Sequence, residues 1–224
     1  MEAHEPVRRS YDTVAERYAA GFRDELAHKP LDRALLACLA EQAEGPVVDL
    51  GCGPGHVAAW LADRGMAAVG IDLSPVMAAV GRREHPEVEF RVGDLLDPPA
   101  EDGEFGAAVA FYSVIHLEAA ELRRAFGEIH RILRPGGLVL VSFHIGTEVR
   151  RVTEFLGHDV EVDFHFFEPP DVIQAMEDAG FAVDMRLERA HHPEEVATRR
   201  GYLLARRLAG SGGEHGAGDP PGVR

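Results

Sequence analysis

A glycine-rich turn preceded by an acid is the clearest chemical feature of this sequence. The stretch VVDLGCGPGHVAAWL, residues 47–61, places Asp49 in an apolar run and then alternates Gly51, Gly53 and Gly55 with other residues before a helical pattern begins. Glycines let a backbone approach a ligand closely, and a helix N-terminus presents free N–H groups. The turn therefore predicts a ligand site at the start of a helix.

The acid of this turn restricts the charge of the ligand. In the dinucleotide fingerprint G-x-G-x-x-G the third glycine takes the sixth place, whereas here Gly55 comes one place early and His56 stands sixth. A carboxylate at Asp49 would repel a pyrophosphate on the same helix N-terminus and attract a cationic ligand. S-adenosylmethionine carries an ammonium and a sulfonium but no phosphate, so it fits this turn better than a nicotinamide dinucleotide does.

Two further acids follow the next two predicted strands. Asp72 lies 21 residues after Gly51 and is placed to accept hydrogen bonds from ribose hydroxyls, as an acid also does in dinucleotide folds. Asp94 is placed to accept from the adenine 6-amino group, with the Leu95 N–H facing adenine N1. Aspartate also caps turns and helices. Acids after three successive strands nevertheless favour a nucleoside site.

Apolar runs alternate with helical patterns along most of the chain. The predicted strands are 46–50, 67–72, 88–92, 106–111, 138–143, 181–188 and 201–207. The predicted helices are 10–22, 31–42, 55–63, 75–83, 118–133 and 170–179. This alternation predicts an α/β fold with a mostly parallel sheet and helices on both faces. The gap between the last two strands is too short for a crossover helix, which predicts antiparallel pairing there.

Composition narrows the possible partners. The formal net charge of −15 disfavours binding to nucleic acid or to an anionic membrane surface. No apolar run is long enough to span a membrane, and the start MEAHEPVRRS lacks the apolar core of a signal peptide. The two cysteines show neither disulfide nor zinc spacing, and no metal site is predicted. A cytoplasmic protein, monomeric or homodimeric, is expected.

Five stretches, in order, carry a family resemblance: VVDLGCGPG, GIDLSPVM, VGDLLD, FYSVIHL and EIHRILRPGGLVLVSFH. Together they resemble the successive motifs of class I S-adenosylmethionine-dependent methyltransferases of the small, single-domain type that acts on small molecules. The resemblance covers residues 10–208. It implies a three-layer α/β/α Rossmann-like sandwich whose seven-stranded, mostly parallel sheet has its last strand antiparallel. It also implies transfer of a methyl group from S-adenosylmethionine to an O, N, S or C atom of a small-molecule acceptor.

The resemblance also divides the chain. It implies one methyltransferase domain over residues 1–208, with an N-terminal helical cap at 10–44 and an insert after the fifth strand at 145–167. Cap and insert are expected to close over the cofactor and shape the acceptor pocket. The Gly/Pro-rich tail 209–224 is expected to be disordered. Three phenylalanines of the insert either line an acceptor site or form ordinary core: Phe164, Phe166 and Phe167.

Individual cofactor contacts are carried over from the same resemblance. Gly51 and Gly53 are expected to approach the methionine half, with Asp49 towards its ammonium and the helix N–H groups near His56 towards its carboxylate. Similar N-terminal tyrosines of the family lie over the cofactor. The remaining predicted contacts are Tyr11, Tyr18, Asp72, Leu73, Met77, Asp94, Leu95 and Ser113.

Catalysis requires little from the protein itself. Methyl transfer is an in-line displacement at an activated carbon, so alignment of the acceptor supplies most of the acceleration. A general base is needed only for a nucleophile that carries a proton near neutral pH. Three histidines are candidates, because imidazole titrates near neutral pH. The first is His116, which follows the fourth strand. The second is His144, at the end of the fifth strand, and the third is His165, in the insert. Each is also consistent with a hydrogen-bonded structural histidine.

Other functions stay open on the sequence alone. A protein that binds S-adenosylmethionine as a scaffold or regulator, without methyl transfer, would carry the same cofactor motifs. A nicotinamide oxidoreductase is disfavoured by Asp49. The segment DPPA at 97–100 is similar to the motif with which nucleic-acid amino-methyltransferases hold a flipped base. It follows the third strand instead of the fourth and ends in alanine, which argues against that activity.

Overall fold

The computed structural model of the protein describes residues 4–193 and 195–209. The helices are α1 Glu5–Phe22, α2 Pro30–Gln42, α3 His56–Ala62, α4 Pro75–Glu84, α5 Ala119–Ile132 and α6 Pro169–Asp178. The strands are β1 Val47–Leu50, β2 Ala68–Asp72, β3 Glu89–Val92, β4 Phe105–Phe111, β5 Leu133–Ile145, β6 Val149–Phe155, β7 His158–His165, β8 Phe181–Arg189 and β9 Arg199–Arg207. Residues 210–224 of the predicted disordered tail lie outside the described part of the chain.

Seven strands form one sheet in the order β3-β2-β1-β4-β5-β9-β8. Strand β1 pairs in parallel with β2 and β4, and β9 runs antiparallel between β5 and β8. The sheet confirms the predicted Rossmann-like fold class, including the antiparallel last strand. Its strand order reverses next to β1, so that ligands are expected at the carboxyl ends of β1 and β4.

The core lies on both faces of the sheet, as the apolar strands require. On one face, α5 buries Leu122, Phe126 and Ile129. On the other face, α2 and α3 pack against the sheet through Leu39 and Leu61. Among the described helices, none combines the length and the apolar character needed to cross a membrane.

The insert after β5 forms a hairpin that the sequence analysis did not predict. Strands β6 and β7 pair antiparallel in a separate two-stranded sheet, and β7 packs along α1. The hydroxyl of Ser10 accepts from the N–H of Glu161 at 3.0 Å and lies 3.2 Å from its carbonyl oxygen. Helix α1 begins at Glu5, five residues before its predicted start. The cap and the insert thus contact each other directly.

Candidate active site

A cavity of about 750 Å³ opens at the carboxyl ends of the parallel strands. Its floor comes from the ends of β1 to β5, and its cover comes from α1 and the β6–β7 hairpin. Its volume is typical of small-molecule sites. All the predicted cofactor contacts and the first two candidate bases line it: Tyr11, Tyr18, Asp49, Gly51, Gly53, His56, Asp72, Leu73, Met77, Asp94, Leu95, Ser113, His116 and His144.

The glycine turn brings backbone close to this cavity. Gly51 and Gly53 have φ values of +70° and +54°, in the left-handed region that favours glycine. A Cβ at Gly51 would also collide with the side chain of Ser113. The N–H of Gly51 donates to the carbonyl of Ile71 at 2.8 Å, which fixes the turn to the end of β2. The turn therefore requires glycine for both its conformation and its contacts.

Asp49 is a buried carboxylate with an unused oxygen. Its side chain lines the cavity, only 3% of the residue is exposed, and its Oδ2 has no hydrogen-bond partner within the described residues. Burial raises the pKa of Asp49 to about 7, with Asp72 adding to the effect and His56 opposing it. An unpartnered buried oxygen is costly for a folded protein. Its position suits a cationic donor from a ligand.

Asp72 is held in a fixed orientation by backbone N–H groups. The Gly53 N–H donates to its Oδ2 at 2.7 Å and the Ser74 N–H donates to its Oδ1 at 2.8 Å. Burial raises the pKa of Asp72 to about 6 against the effect of these two bonds. Each carboxylate oxygen has a further lone pair, so that the group can still accept from a diol.

Asp94 has a partner that the sequence analysis missed. Its Oδ1 accepts from the Leu96 N–H at 2.9 Å, and its Oδ2 lies 2.9 Å from Nδ1 of His4. The other ring nitrogen of His4 lies 3.3 Å from Glu121, and the hydrogen bond to Asp94 raises the pKa of His4. His4 lies 90 residues from Asp94 in the chain, and no local pattern relates the two positions.

The two N-terminal tyrosines lie over one side of the cavity. Their ring centroids are 6.1 Å apart, and Tyr18 stacks on Phe22 at 4.3 Å. The hydroxyl of Tyr11 lies 2.9 Å from Nε2 of His116. Burial raises the pKa of Tyr11 above its usual range, so that the phenol keeps its proton at neutral pH. Helix α1 thus reaches from the predicted cofactor region to the first candidate base.

The three candidate histidines have different environments. Burial lowers the pKa of His116 to about 4, and the ring of Phe164 lies 5.2 Å away. His144 lies between other rings, and its Nδ1 is 2.8 Å from the hydroxyl of Thr198. His165 does not line the cavity but stacks on Phe167, a core residue. Of the insert's three phenylalanines, the cavity is lined by Phe164 and Phe166.

A network of charged side chains that line the cavity was not predicted. Lys29 lies 2.6 Å from Glu25 and 3.4 Å from Glu195, and Glu25 also contacts His56 at 3.0 Å. Arg200 lies 3.3 Å from Glu195. These residues come from the N-terminal cap, the start of α3, the loop between β8 and β9, and β9 itself, so that only the folded chain brings them together.

Fold and cavity define a Rossmann-like protein with a cavity at the carboxyl ends of its parallel strands. A family model described as "Methyltransferase domain" matches residues 47–137. A probable S-adenosylmethionine-dependent methyltransferase from Mycolicibacterium smegmatis is 32% identical over 182 residues, 80% of this chain and 68% of that protein. A demethylmenaquinone methyltransferase from Thermus thermophilus is 31% identical over 205 residues, 79% of this chain and 90% of that protein. The chain therefore belongs to the S-adenosylmethionine-dependent methyltransferases, and its cofactor is S-adenosylmethionine.

The structural comparison agrees at the level of the fold. The putative methyltransferase in a complex with the Haloferax volcanii Trm112 methyltransferase activator aligns with a TM-score of 0.73 at 22% identity, over 91% of this chain and 98% of that one. For some relatives the match covers only part of their length. It spans 58% of the demethylmenaquinone methyltransferases from Chlorobaculum tepidum and Chlorobaculum parvum, and 55% of the one from Beutenbergia cavernae.

Proposed function

We propose that this chain transfers a methyl group from S-adenosylmethionine to a nucleophilic oxygen, nitrogen, sulfur or carbon atom of a small-molecule metabolite. The supporting observation is a single cavity lined both by the predicted cofactor acids and by two histidines, His116 and His144. Its cover by α1 and the β6–β7 hairpin favours a small acceptor over a macromolecule. In such a site, alignment of the nucleophile with the S–CH3 bond supplies most of the acceleration.

The residues present fit the cofactor. The unpartnered Oδ2 of Asp49 would accept from the ammonium, and the glycine turn leaves room for the methionine half. The fixed carboxylate of Asp72 would accept from the ribose hydroxyls, and Asp94 and Leu95 would face adenine. When bound, the cofactor supplies the activated methyl group. Tyr11 and Tyr18 would cover this region and exclude water.

Loss of the Asp72 carboxylate, which would accept hydrogen bonds from the ribose hydroxyls, is expected to weaken cofactor binding. Asp72→Ala should lower the affinity for S-adenosylhomocysteine roughly 10- to 100-fold, because hydrogen bonds to a charged group contribute about 1.5–3 kcal/mol. Isothermal titration calorimetry measures the change. Asp97→Ala is the matched control, since it removes the same charge from an exposed side chain that does not line the cavity. Equal affinity in both variants would contradict the ribose assignment.

Proton removal from the acceptor is proposed to involve His116 and Tyr11. The imidazole is neutral at physiological pH because burial lowers its pKa to about 4. The Tyr11 hydroxyl lies 2.9 Å from Nε2, so that it either gives its own proton to that nitrogen while taking the acceptor's proton, or is displaced by the acceptor. A nucleophile without a titratable proton would need neither residue as a base.

Cofactor choice and turnover are tested together. Calorimetry with S-adenosylmethionine, S-adenosylhomocysteine and NADH should show binding of the first two and none of the third. Formation of S-adenosylhomocysteine is then measured across small acceptors, beginning with demethylmenaquinone because several relatives are named for it. Binding with no turnover across a broad panel would favour a scaffold or regulator. Binding of NADH alone would overturn the proposal.

A further inference from the structure

The side chain of His144 makes a hydrogen bond whose direction can be deduced. Its Nδ1 lies 2.8 Å from Oγ1 of Thr198, at the close end of the usual range. A threonine hydroxyl has one proton to donate, whereas a neutral imidazole has one donor and one acceptor nitrogen. The direction therefore depends on whether the hydroxyl proton has a better destination than Nδ1.

The other contacts of the Thr198 hydroxyl leave its proton for His144. Nη1 of Arg200 donates to Oγ1 at 3.2 Å, and a guanidinium cannot accept a proton in return. The carbonyl of Val196 lies 3.5 Å from Oγ1, far beyond the usual separation of about 2.8 Å. Only Nδ1 is within good reach. It therefore accepts, and the imidazole proton lies on Nε2.

The ring that carries this N–H lines the cavity. His144 lies between Tyr112, with centroids 5.2 Å apart, and Phe166, at 5.1 Å. These two rings restrict its rotation. Within the described residues Nε2 makes no hydrogen bond, and His144 lines the cavity. The cavity thus has a fixed N–H donor at the end of β5.

The charges around this donor favour a negative oxygen. Arg200 is 4% exposed and donates next to the imidazole, while Arg150 and Lys29 also line this part of the cavity. Burial, followed by Arg200 and Arg150, lowers the pKa of His144 to about 4 despite the opposing effect of Glu195. Three cationic side chains thus oppose protonation of His144 and one carboxylate favours it, although the chain as a whole carries −15.

We propose that Thr198 is a positioning residue that keeps His144 in the Nε2–H tautomer, and that this N–H binds an anionic oxygen of the methyl acceptor, a carboxylate or an ionised hydroxyl. His144 would then orient the acceptor, and His116 would take its proton. The proposal rests on the proposed function, because the acceptor must occupy this end of the cavity. It narrows the acceptor to molecules with an oxygen anion.

The tautomer is measured directly by nitrogen NMR of the protein labelled with ¹⁵N-histidine, without cofactor. The His144 signals are assigned by their loss in His144→Gln. We expect a protonated Nε2 and an accepting Nδ1 in the unmodified chain and in Thr198→Ser, which keeps the hydroxyl. Thr198→Val should lose the Nε2–H signal in part and gain an Nδ1–H signal. Thr153→Val, an exposed change on β6, should leave both signals in place.

Three probes test the ligand class on the complex with S-adenosylhomocysteine. Benzoate, 4-nitrophenolate and benzylammonium have similar rings and differ in their polar group. A shift of the His144 Nε2 signal with benzoate identifies a carboxylate site, and a shift with 4-nitrophenolate identifies an ionised-hydroxyl site. No shift with either anion, or a shift with benzylammonium alone, would overturn the proposal.

The role of Thr198 and the proposed methyltransferase function can be contradicted independently. A protonated Nδ1 in the unmodified chain, or an unchanged tautomer in Thr198→Val, would overturn the role of Thr198 whatever the chain catalyses. Failure to bind S-adenosylhomocysteine, measured by calorimetry on the same sample, would instead count against the proposed function. The tautomer would still be read from the spectra without cofactor.

Discussion

Replacing His116 by alanine should lower the rate of methyl transfer by about 100-fold or more and leave the affinity for S-adenosylhomocysteine nearly unchanged. The imidazole lies in the cavity at the end of β4, where it is neutral and 2.9 Å from the Tyr11 hydroxyl. Its removal leaves the acceptor's proton without a neutral base. The Asp49 and Asp72 carboxylates, which are proposed to hold the cofactor, are unaffected.

The pH dependence of the same reaction gives an independent check. Burial lowers the pKa of His116 to about 4, so that the imidazole is neutral throughout the range near pH 7. Titration of His116 should therefore not change the rate around pH 7. The rate should fall as the pH approaches 4, because the ring then gains a proton and ceases to act as a base. His116→Ala should lose that acidic limb.

His165→Ala is the matched control for His116→Ala. The sequence also made His165 a candidate base. The structure instead places His165 against Phe167, and it does not line the cavity. Its replacement should leave the rate within about twofold of the unmodified chain, because the half-buried ring does not line the cavity. Full activity of His116→Ala would show that His116 is structural.

The clustering of the proposed cofactor residues was predictable because it depends on order along the chain. Asp49 and Asp72 stand at the ends of β1 and β2, and parallel strands bring those ends to one edge of the sheet. The glycine turn follows directly from the first of these strands. Once the alternation of strands and helices is recognised, topology alone places these residues together.

The acceptor half was less predictable because its contacts join distant segments. Thr198 meets His144 across 54 positions, and Lys29 meets Glu195 through the packing of the cap against a loop. Charged and hydroxyl side chains have many possible partners, and the sequence contains no signal that selects one. His4 and Asp94 illustrate the same limit inside the predicted cofactor region.

The β6–β7 hairpin was missed for a different reason. Its sequence does contain a signal, since Val160, Val162 and Phe164 alternate with polar residues as in a half-buried strand. In β6 the pattern is interrupted, because the pairing register shifts between Val152 and Glu154. A bulge of this kind breaks the period of two on which strand prediction depends.

Asp49→Asn should have opposite effects on cofactor binding and on the stability of the cofactor-free protein. Affinity for S-adenosylmethionine should fall about 100-fold or more at pH 8, because removal of one partner from a buried ion pair is costly. The cofactor-free protein should become more stable at the same pH. Both changes follow from one property of Asp49, a buried carboxylate whose Oδ2 has no partner within the described residues.

The sign of the stability change follows from the pKa. Burial raises the pKa of Asp49 from 3.8 to about 7, so that the folded chain binds more protons than the unfolded chain between these values. The contribution of Asp49 to the free energy of unfolding therefore falls as pH rises from 3.8 to about 7. Above pH 7 the full loss of stability is present. Asparagine carries no charge, so its gain should be on the order of 4 kcal/mol at pH 8 and vanish near pH 4.

Urea denaturation without cofactor at pH 8 and pH 4, together with calorimetry at pH 8, measures both effects. Asp97→Asn is the control, because it makes the same change at an exposed position outside the cavity. A residue retained for folding would lose stability when replaced, whereas a residue retained for its ligand would lose only binding. Reduced stability of Asp49→Asn at pH 8, or unchanged affinity, would therefore place the ammonium of the cofactor elsewhere.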